Sequence, residues 1–195
     1  FITAISYFFM LHFPVSVSLF NHSILLHGIM EALGIFIGFR YYLFLKKKQG
    51  DPIVSDHSIY ILVAAGIGAV LGSRIVGSLE NLPQWIGAAN PLLYFWTNKT
   101  VLGGLFGGLL AVETVKYILH EKKRSGDLFV YPLLLAMMIG RIGCFSAGIY
   151  EETYGNQTSL PWGMDLGDGI LRHPVTVYEI IFLGVLWFII YRFKK

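Results

Sequence analysis

Arg141 lies in the stretch Gly140-Arg-Ile-Gly-Cys-Phe-Ser-Ala-Gly148, inside a run of residues apolar enough to cross a membrane. A guanidinium at that depth is costly in hydrocarbon, so it must face a polar cavity, a carboxylate or an anionic ligand. A second polar group follows in Arg172-His-Pro-Val-Thr-Val-Tyr-Glu179, and a third is the pair His27 and Glu31. Those two are four residues apart and share one face of a helix. Arg74 completes the set of ionisable residues within apolar segments on this side. Arginine's planar fork suits bidentate contact with phosphate, and a histidine beside a carboxylate is a recurring device for moving protons. The chemistry to look for is capture of a phosphate-bearing anion with a proton acceptor at hand.

The elements that must position these residues follow from composition. Of 195 residues, 55% are hydrophobic and 14% charged, and the mean hydropathy is +0.62, far more apolar than a soluble domain. The expected fold is all-α: a polytopic transmembrane helical bundle forming a single integral membrane domain over 1–195. Five segments approach the roughly 20 residues a spanning helix needs: 24–45, 59–79, 100–119, 128–149 and 174–191. Residues 1–23 carry a V-S-V-S alternation and read as an amphipathic arm on the outer surface. Residues 150–171, with several glycines and a proline, read as a long outer loop between the last two spans.

Basic residues set the orientation, because loops rich in Lys and Arg stay cytoplasmic. Lys46 to Lys48, Lys122 to Arg124, and Arg192, Lys194 and Lys195 follow the first, third and last segments and share one side. The N-terminus is therefore expected outside and the C-terminus in the cytoplasm. The net charge of +3 follows from this topology, and no interleaving of basic and aromatic residues points to nucleic acid. The single cysteine, Cys144, excludes an intrachain disulfide and a cysteine-cluster metal site. No His and carboxylate set has metal-ligand spacing, and no cofactor is implied.

At about 1.5 Å rise per residue, His27, Glu31, Arg74, Arg141 and Glu179 fall roughly 5 to 12 Å inside the outer ends of their helices, in one slab. With Arg172 counted, the slab has more arginines than carboxylates, and a phospholipid headgroup is the natural anion to reach it. The alternative is that Arg74 and Arg141 pair with Glu31 and Glu179 as internal ion pairs. His27 beside Glu31 reads either as a satisfied structural histidine or as a general base. Gly68 and Gly72 in the second segment, and Gly103, Gly104, Gly107 and Gly108 in the third, make smooth ridges that permit close helix packing or close approach of a lipid chain. Glu113 and Lys116 are spaced to pair at i, i+3.

The two polar stretches resemble the prolipoprotein diacylglyceryl transferase family. Its signature, approximately G-R-x-G-N-F-x-N-G-E, is matched by Gly140, Arg141, Gly143, Phe145 and Gly148. A later R-H-P-S-Q-L-Y-E element is matched by Arg172, His173, Pro174, Tyr178 and Glu179. The resemblance implies a bacterial cytoplasmic (inner) membrane enzyme that moves diacylglyceryl from phosphatidylglycerol to the lipobox cysteine of a lipoprotein precursor signal segment. It further implies that Arg141 and Arg172, with Arg74, hold the phosphate, lined by Gly103, Gly104, Gly143, Gly148, His173, Tyr178 and Glu179. The family's histidine in an F-H-G-G-L context falls on Leu102, its two signature asparagines on Cys144 and Ala147, its following glutamate on Ile149, and a tyrosine on His27. With Leu102 in place of the histidine, His27 held by Glu31 is the expected base and His173 the second choice. The family's last two spans have no counterpart here, as expected of a truncated or divergent member. A non-catalytic phospholipid-binding protein, or a small transporter or scaffold, are the other readings these residues admit.

Overall fold

The computed structural model describes residues 12–19, 22–50, 53, 55–123, 126–151 and 153–193. Residues 1–11 of the expected arm, together with Arg124, Glu152, Lys194 and Lys195, lie outside the described residues. Five helices are long and apolar enough to span a bilayer. In chain order they are α1 (Leu26–Gln49), α2 (Ser55–Glu80), α5 (Val101–Ile118), α6 (Asp127–Ala147) and α7 (Val175–Phe193). Two short helices, α3 (Leu82–Ile86) and α4 (Pro91–Thr97), fill the connection after α2. The chain is a polytopic helical membrane protein, helix being one of the few backbone arrangements hydrocarbon admits.

The chain forms two compact units, residues 1–49 with 126–195, and residues 50–125. In the first unit α1 packs along α6. The contact depends on glycine, because a Cβ on Gly34 would lie 2.8 Å from the Ala136 carbonyl and one on Gly38 would lie 2.9 Å from the Ala136 Cβ. At the end away from the polar stretches, Tyr42 stacks on Phe129 at 4.4 Å, and Trp187 of α7 sits 5.1 Å from Tyr131 and 6.0 Å from Tyr41. These rings tie α1, α6 and α7 together at that end.

The described part of the arm is an antiparallel hairpin of β1 (Ser16–Leu19) and β2 (His22–Leu25). Its period-two alternation is that of a strand. The hairpin is tied to the helices by Val15 N–H donating to Ser146 O at 2.8 Å and by Leu26 N–H donating to Val15 O at 3.0 Å. The long connection before α7 is ordered by a second small hairpin, β3 (Met164–Asp165) with β4 (Leu171–Arg172). Asp165 Oδ1 shapes its turn by accepting from the backbone N–H groups of Gly167, Asp168 and Gly169, the local use of aspartate expected in turns.

In the second unit α2 and α5 pack closely along their glycine ridges. A Cβ on Gly72 would stand 2.7 Å from Gly107 Cα, and a Cβ on Gly103 would stand 2.5 Å from Gly72 O. Backbone-to-backbone approach of this kind is how apolar helices associate without a hydrophobic driving force. The connection 81–100 is more regular than a loop. Asn90 caps α4 by accepting from Leu93 N–H at 3.1 Å, Pro91 opens the helix, and Trp85 Nε1 donates to Pro91 O at 3.0 Å. Lys116 Nζ lies 3.1 Å from Glu113 Oε1 on α5.

Candidate functional site

The polar residues of the first unit gather where α6 ends and α1 and α7 begin. Arg141 of α6 meets Glu179 of α7 in a two-point contact, with Nε 2.8 Å from Oε2 and Nη2 donating to Oε1 at 3.2 Å. The pair is only partly enclosed, the side chains being 18% and 38% exposed. Nη1 turns instead to Cys144 Sγ at 3.7 Å, a weak acceptor, one turn farther along the same helix. Nε and Nη2 are thus committed to a carboxylate, while Nη1 has a weak acceptor.

Two residues beyond Arg141, and so about 200° around the helix, Gly143 faces α1. A Cβ there would lie 2.9 Å from Met30 Cβ and 3.0 Å from His27 O. His27 itself occupies the first turn of α1, its side chain 11% exposed. Its Nε2 lies 3.2 Å from Glu151 Oε1 and 3.5 Å from Glu31 Oε1. These are ion-pair separations without the alignment of a hydrogen bond, and both Nε2 and Nδ1 are buried with no hydrogen-bond partner among the described residues. Glu31 was expected from its spacing. Glu151 was not singled out, because nothing local marks which way a residue just past a helix end will point.

Between these two flanks runs the face of α6 that carries Gly140 and Cys144. On a helical wheel of about 100° per residue, both fall on the shorter arc from Gly143 to Arg141. A Cβ on Gly140 would meet nothing within 4 Å. The helix surface is therefore open at Gly140, with Arg141 on one flank and the Gly143 contact with the His27 backbone on the other.

The loop residues are committed to one another. Arg172 donates to Asp168 Oδ2 through Nε at 2.9 Å and Nη2 at 2.6 Å, donates to Gly155 O through Nη1 at 3.3 Å, and stacks over Tyr154 at 4.9 Å. Tyr178 Oη accepts from Trp162 Nε1 at 2.8 Å and lies 3.2 Å from His173 Nδ1. Arg172 and His173 hold the loop, and Tyr178 ties it to α7 one residue before Glu179. Gly148, at φ +60°, ends α6 and leaves room for Phe13, whose ring meets Phe145 edge-on at 5.6 Å.

Arg74, Gly103 and Gly104 belong to the second unit. Arg74 Nη1 donates to Asn98 O at 3.2 Å. Gly103 is buried against Gly72 and Val76, and Gly104 faces Ala69 and Ser73. Leu102 is 73% exposed. Among the described residues there is no group of three or more His, Cys, Asp or Glu placed to hold a metal ion.

The Arg172 hydrogen bonds hold the Asp168 carboxyl below the usual carboxylate range, and Asp168 in turn raises Arg172. A carboxylate whose folded-state value is depressed stabilises the fold above its unfolded value, and that contribution is lost as the pH falls through the folded value. The loop hairpin should therefore hold at neutral pH and begin to open only as the pH falls below about 4, where Asp168 starts to protonate. Asp168→Asn should show the same opening at pH 7, read as faster hydrogen exchange at the Thr158 and His173 amides, which donate to Leu171 O and Asn156 O.

Five apolar helices with an arginine–glutamate pair and a histidine between carboxylates at one end define an integral membrane protein with an ionisable site set within its spanning helices. The chain belongs to the prolipoprotein diacylglyceryl transferase family, whose profile matches residues 14–195. It is similar to the phosphatidylglycerol-prolipoprotein diacylglyceryl transferase of Finegoldia magna, 29% identical over 194 residues that cover 93% of this chain and 72% of that protein. The protein of the same name from Wolbachia pipientis subsp. Culex pipiens is 31% identical, with 91% of this chain and 68% of that one covered. The one from Bordetella parapertussis is 37% identical over a shorter match, 63% of this chain and 48% of that protein.

Proposed function

We propose that this chain transfers the diacylglyceryl group of phosphatidylglycerol to the lipobox cysteine thiol of a lipoprotein precursor, in the bacterial inner membrane. Family membership supplies the reaction class. The observation that carries the reading onto these residues is the half-committed fork of Arg141, with Nη1 turned to a weak acceptor, beside the open helix surface at Gly140. A phosphodiester lying on that surface would take the Nη1 side of Arg141, while Glu179 keeps the guanidinium planar to it. The basic loops place this end of α1, α6 and α7 outside, at the depth of the outer-leaflet headgroups.

In this reading the precursor's thiol approaches from the α1 side and loses its proton to His27 as sulfur attacks the glyceryl carbon. The carbon–oxygen bond to phosphate breaks, and its electron pair leaves with glycerol phosphate. Arg141 offsets the second negative charge that develops on the departing phosphate, which is where fixed positive charge lowers a barrier most. Arg172 and His173 serve by holding the loop over the site, and Gly103 and Gly104 by seating α5 on α2.

The deciding experiment is transfer of labelled diacylglyceryl from phosphatidylglycerol to a lipobox peptide by the purified protein in lipid nanodiscs. Turnover establishes the transferase. Retained phosphatidylglycerol binding without turnover would instead favour a lipid-binding protein, the outcome to which Leu102, at the position of the family's histidine, points.

A further inference from the structure

We infer that Glu151 is a positioning residue for His27: it receives the Nε2 proton and so leaves Nδ1 as the proton acceptor at the outer end of α1. The inference rests on the transfer reaction proposed above, but it adds a residue that neither the family resemblance nor the local sequence marks.

Three observations converge on it. The imidazole is nearly enclosed, and of the two carboxylates that reach Nε2 the nearer belongs to Glu151, at 3.2 Å against 3.5 Å for Glu31. Glu151 is also the less exposed of the two, 33% against 42%. Both ring nitrogens are buried with no hydrogen-bond partner among the described residues, so the carboxylates beside Nε2 are what distinguish them, and they leave Nδ1 as the atom to accept a proton. A neutral imidazole carries one proton, and which nitrogen bears it is set by the acceptor beside the other. A carboxylate at Nε2 selects the Nε2–H tautomer, which fits the need for a free lone pair at Nδ1. The α6 surface packed against this turn of α1 presents Gly143, and among the described residues Glu31 and Glu151 are the charged groups within ion-pair distance of the ring. The present separations lack hydrogen-bond alignment, as is common before substrate tightens a site.

The position of Glu151 has a further consequence. It stands immediately after the 3₁₀ turn Gly148–Tyr150, where the chain leaves α6 for the outer loop. Order in that loop therefore reaches the base directly. During transfer, Nδ1 takes the thiol proton as the sulfur–carbon bond forms, and the Nε2 proton moves toward Glu151 without leaving the ring. The imidazolium then returns the Nδ1 proton to water or to the departing phosphate, and the cycle closes with no other reactant.

The test uses the whole protein in nanodiscs containing phosphatidylglycerol. With ring-15N histidine, the His27 resonances are assigned by their loss in His27→Gln, and the tautomer is read from the two nitrogen shifts near pH 8. We expect the Nε2–H form in the wild type and a shift toward mixed tautomers in Glu151→Gln, restored in Glu151→Asp. In the transfer assay Glu151→Gln should lower kcat by about 10- to 100-fold with KM for phosphatidylglycerol nearly unchanged. An unchanged tautomer in Glu151→Gln, or a loss confined to KM, would overturn the inference. If the wild type has no turnover, the transfer reading fails, and the nitrogen shifts alone still decide whether Glu151 sets the tautomer.

Discussion

Replacing Arg141 by alanine should abolish measurable transfer, a fall of about 10²- to 10³-fold in kcat/KM, the cost of removing one preorganised group aimed at developing charge. The expectation follows from how the guanidinium is divided. Nε and Nη2 face Glu179, while among the described residues Nη1 has only a thiol beside it, so the arginine is held rather than consumed by its ion pair. Arg141→Lys keeps the charge but loses the fork, and should recover only a minor part of the activity. Glu179→Gln is the discriminating partner. It leaves the cation in place with a neutral acceptor, so it should retain more activity than Arg141→Ala. If the pair were purely structural, both substitutions would lower thermal stability alike and neither would alter phosphatidylglycerol affinity. Binding isotherms with phosphatidylglycerol nanodiscs, run beside melting curves for all three variants, separate the two accounts.

Much of the scaffold was legible because the bilayer is a strict solvent. A chain must supply about 20 apolar residues per span, so the five spans stand out by length, and the helices begin and end within four residues of them. α1, for instance, continues through Lys46 to Lys48 to Gln49, since lysine stems can lie along a helix while their heads reach water. The α2–α5 contact was legible for a related reason. Gly68 and Gly72 recur at one-turn spacing, as do Gly103 and Gly107, and smooth ridges have few uses other than close packing.

Partner choice was less legible. Depth along the helices put Glu31 and Glu179 in the same slab, so both were candidates for Arg141, and only the order of neighbouring helices selects Glu179. Two residues on one helix, Arg141 and Gly143, turn to opposite neighbours because they lie about 200° apart, which a linear motif conceals. The contact of Arg172 with Asp168 was not legible, because the two lie across a turn of the loop. The hairpin register that joins them has no strong sequence signal in strands of two residues each. Glu151 was hidden for the same reason, since the path of the chain after α6 depends on a single backbone conformation at Gly148.

That conformation makes Gly148→Ala the most disruptive single-methyl change expected in the chain. Gly148 ends α6 at φ +60° and ψ −131°, a combination far from the left-handed helical well near ψ +47°, so a side chain gains no relief there. The backbone strain alone is worth about 1–3 kcal/mol. The new methyl would also be driven into Leu166 O and would stand 2.8 Å from Phe13 Cβ, and overpacking of this kind costs about another 1–3 kcal/mol. Melting in nanodiscs should fall by roughly 5–15 °C. Gly169→Ala is the control, because Gly169 also has a positive φ, +74°, but its Cβ would meet nothing within 4 Å, so only the strain term applies and the loss should be about half as large. Gly148→Ala should also cost activity beyond its loss of folded protein. Relieving the clash requires the chain to leave α6 along a different path, which carries Glu151, three residues on, with it. Turnover per folded molecule should therefore drop in Gly148→Ala and hold in Gly169→Ala. Equal activity per folded molecule in the two variants would uncouple the helix end from the base.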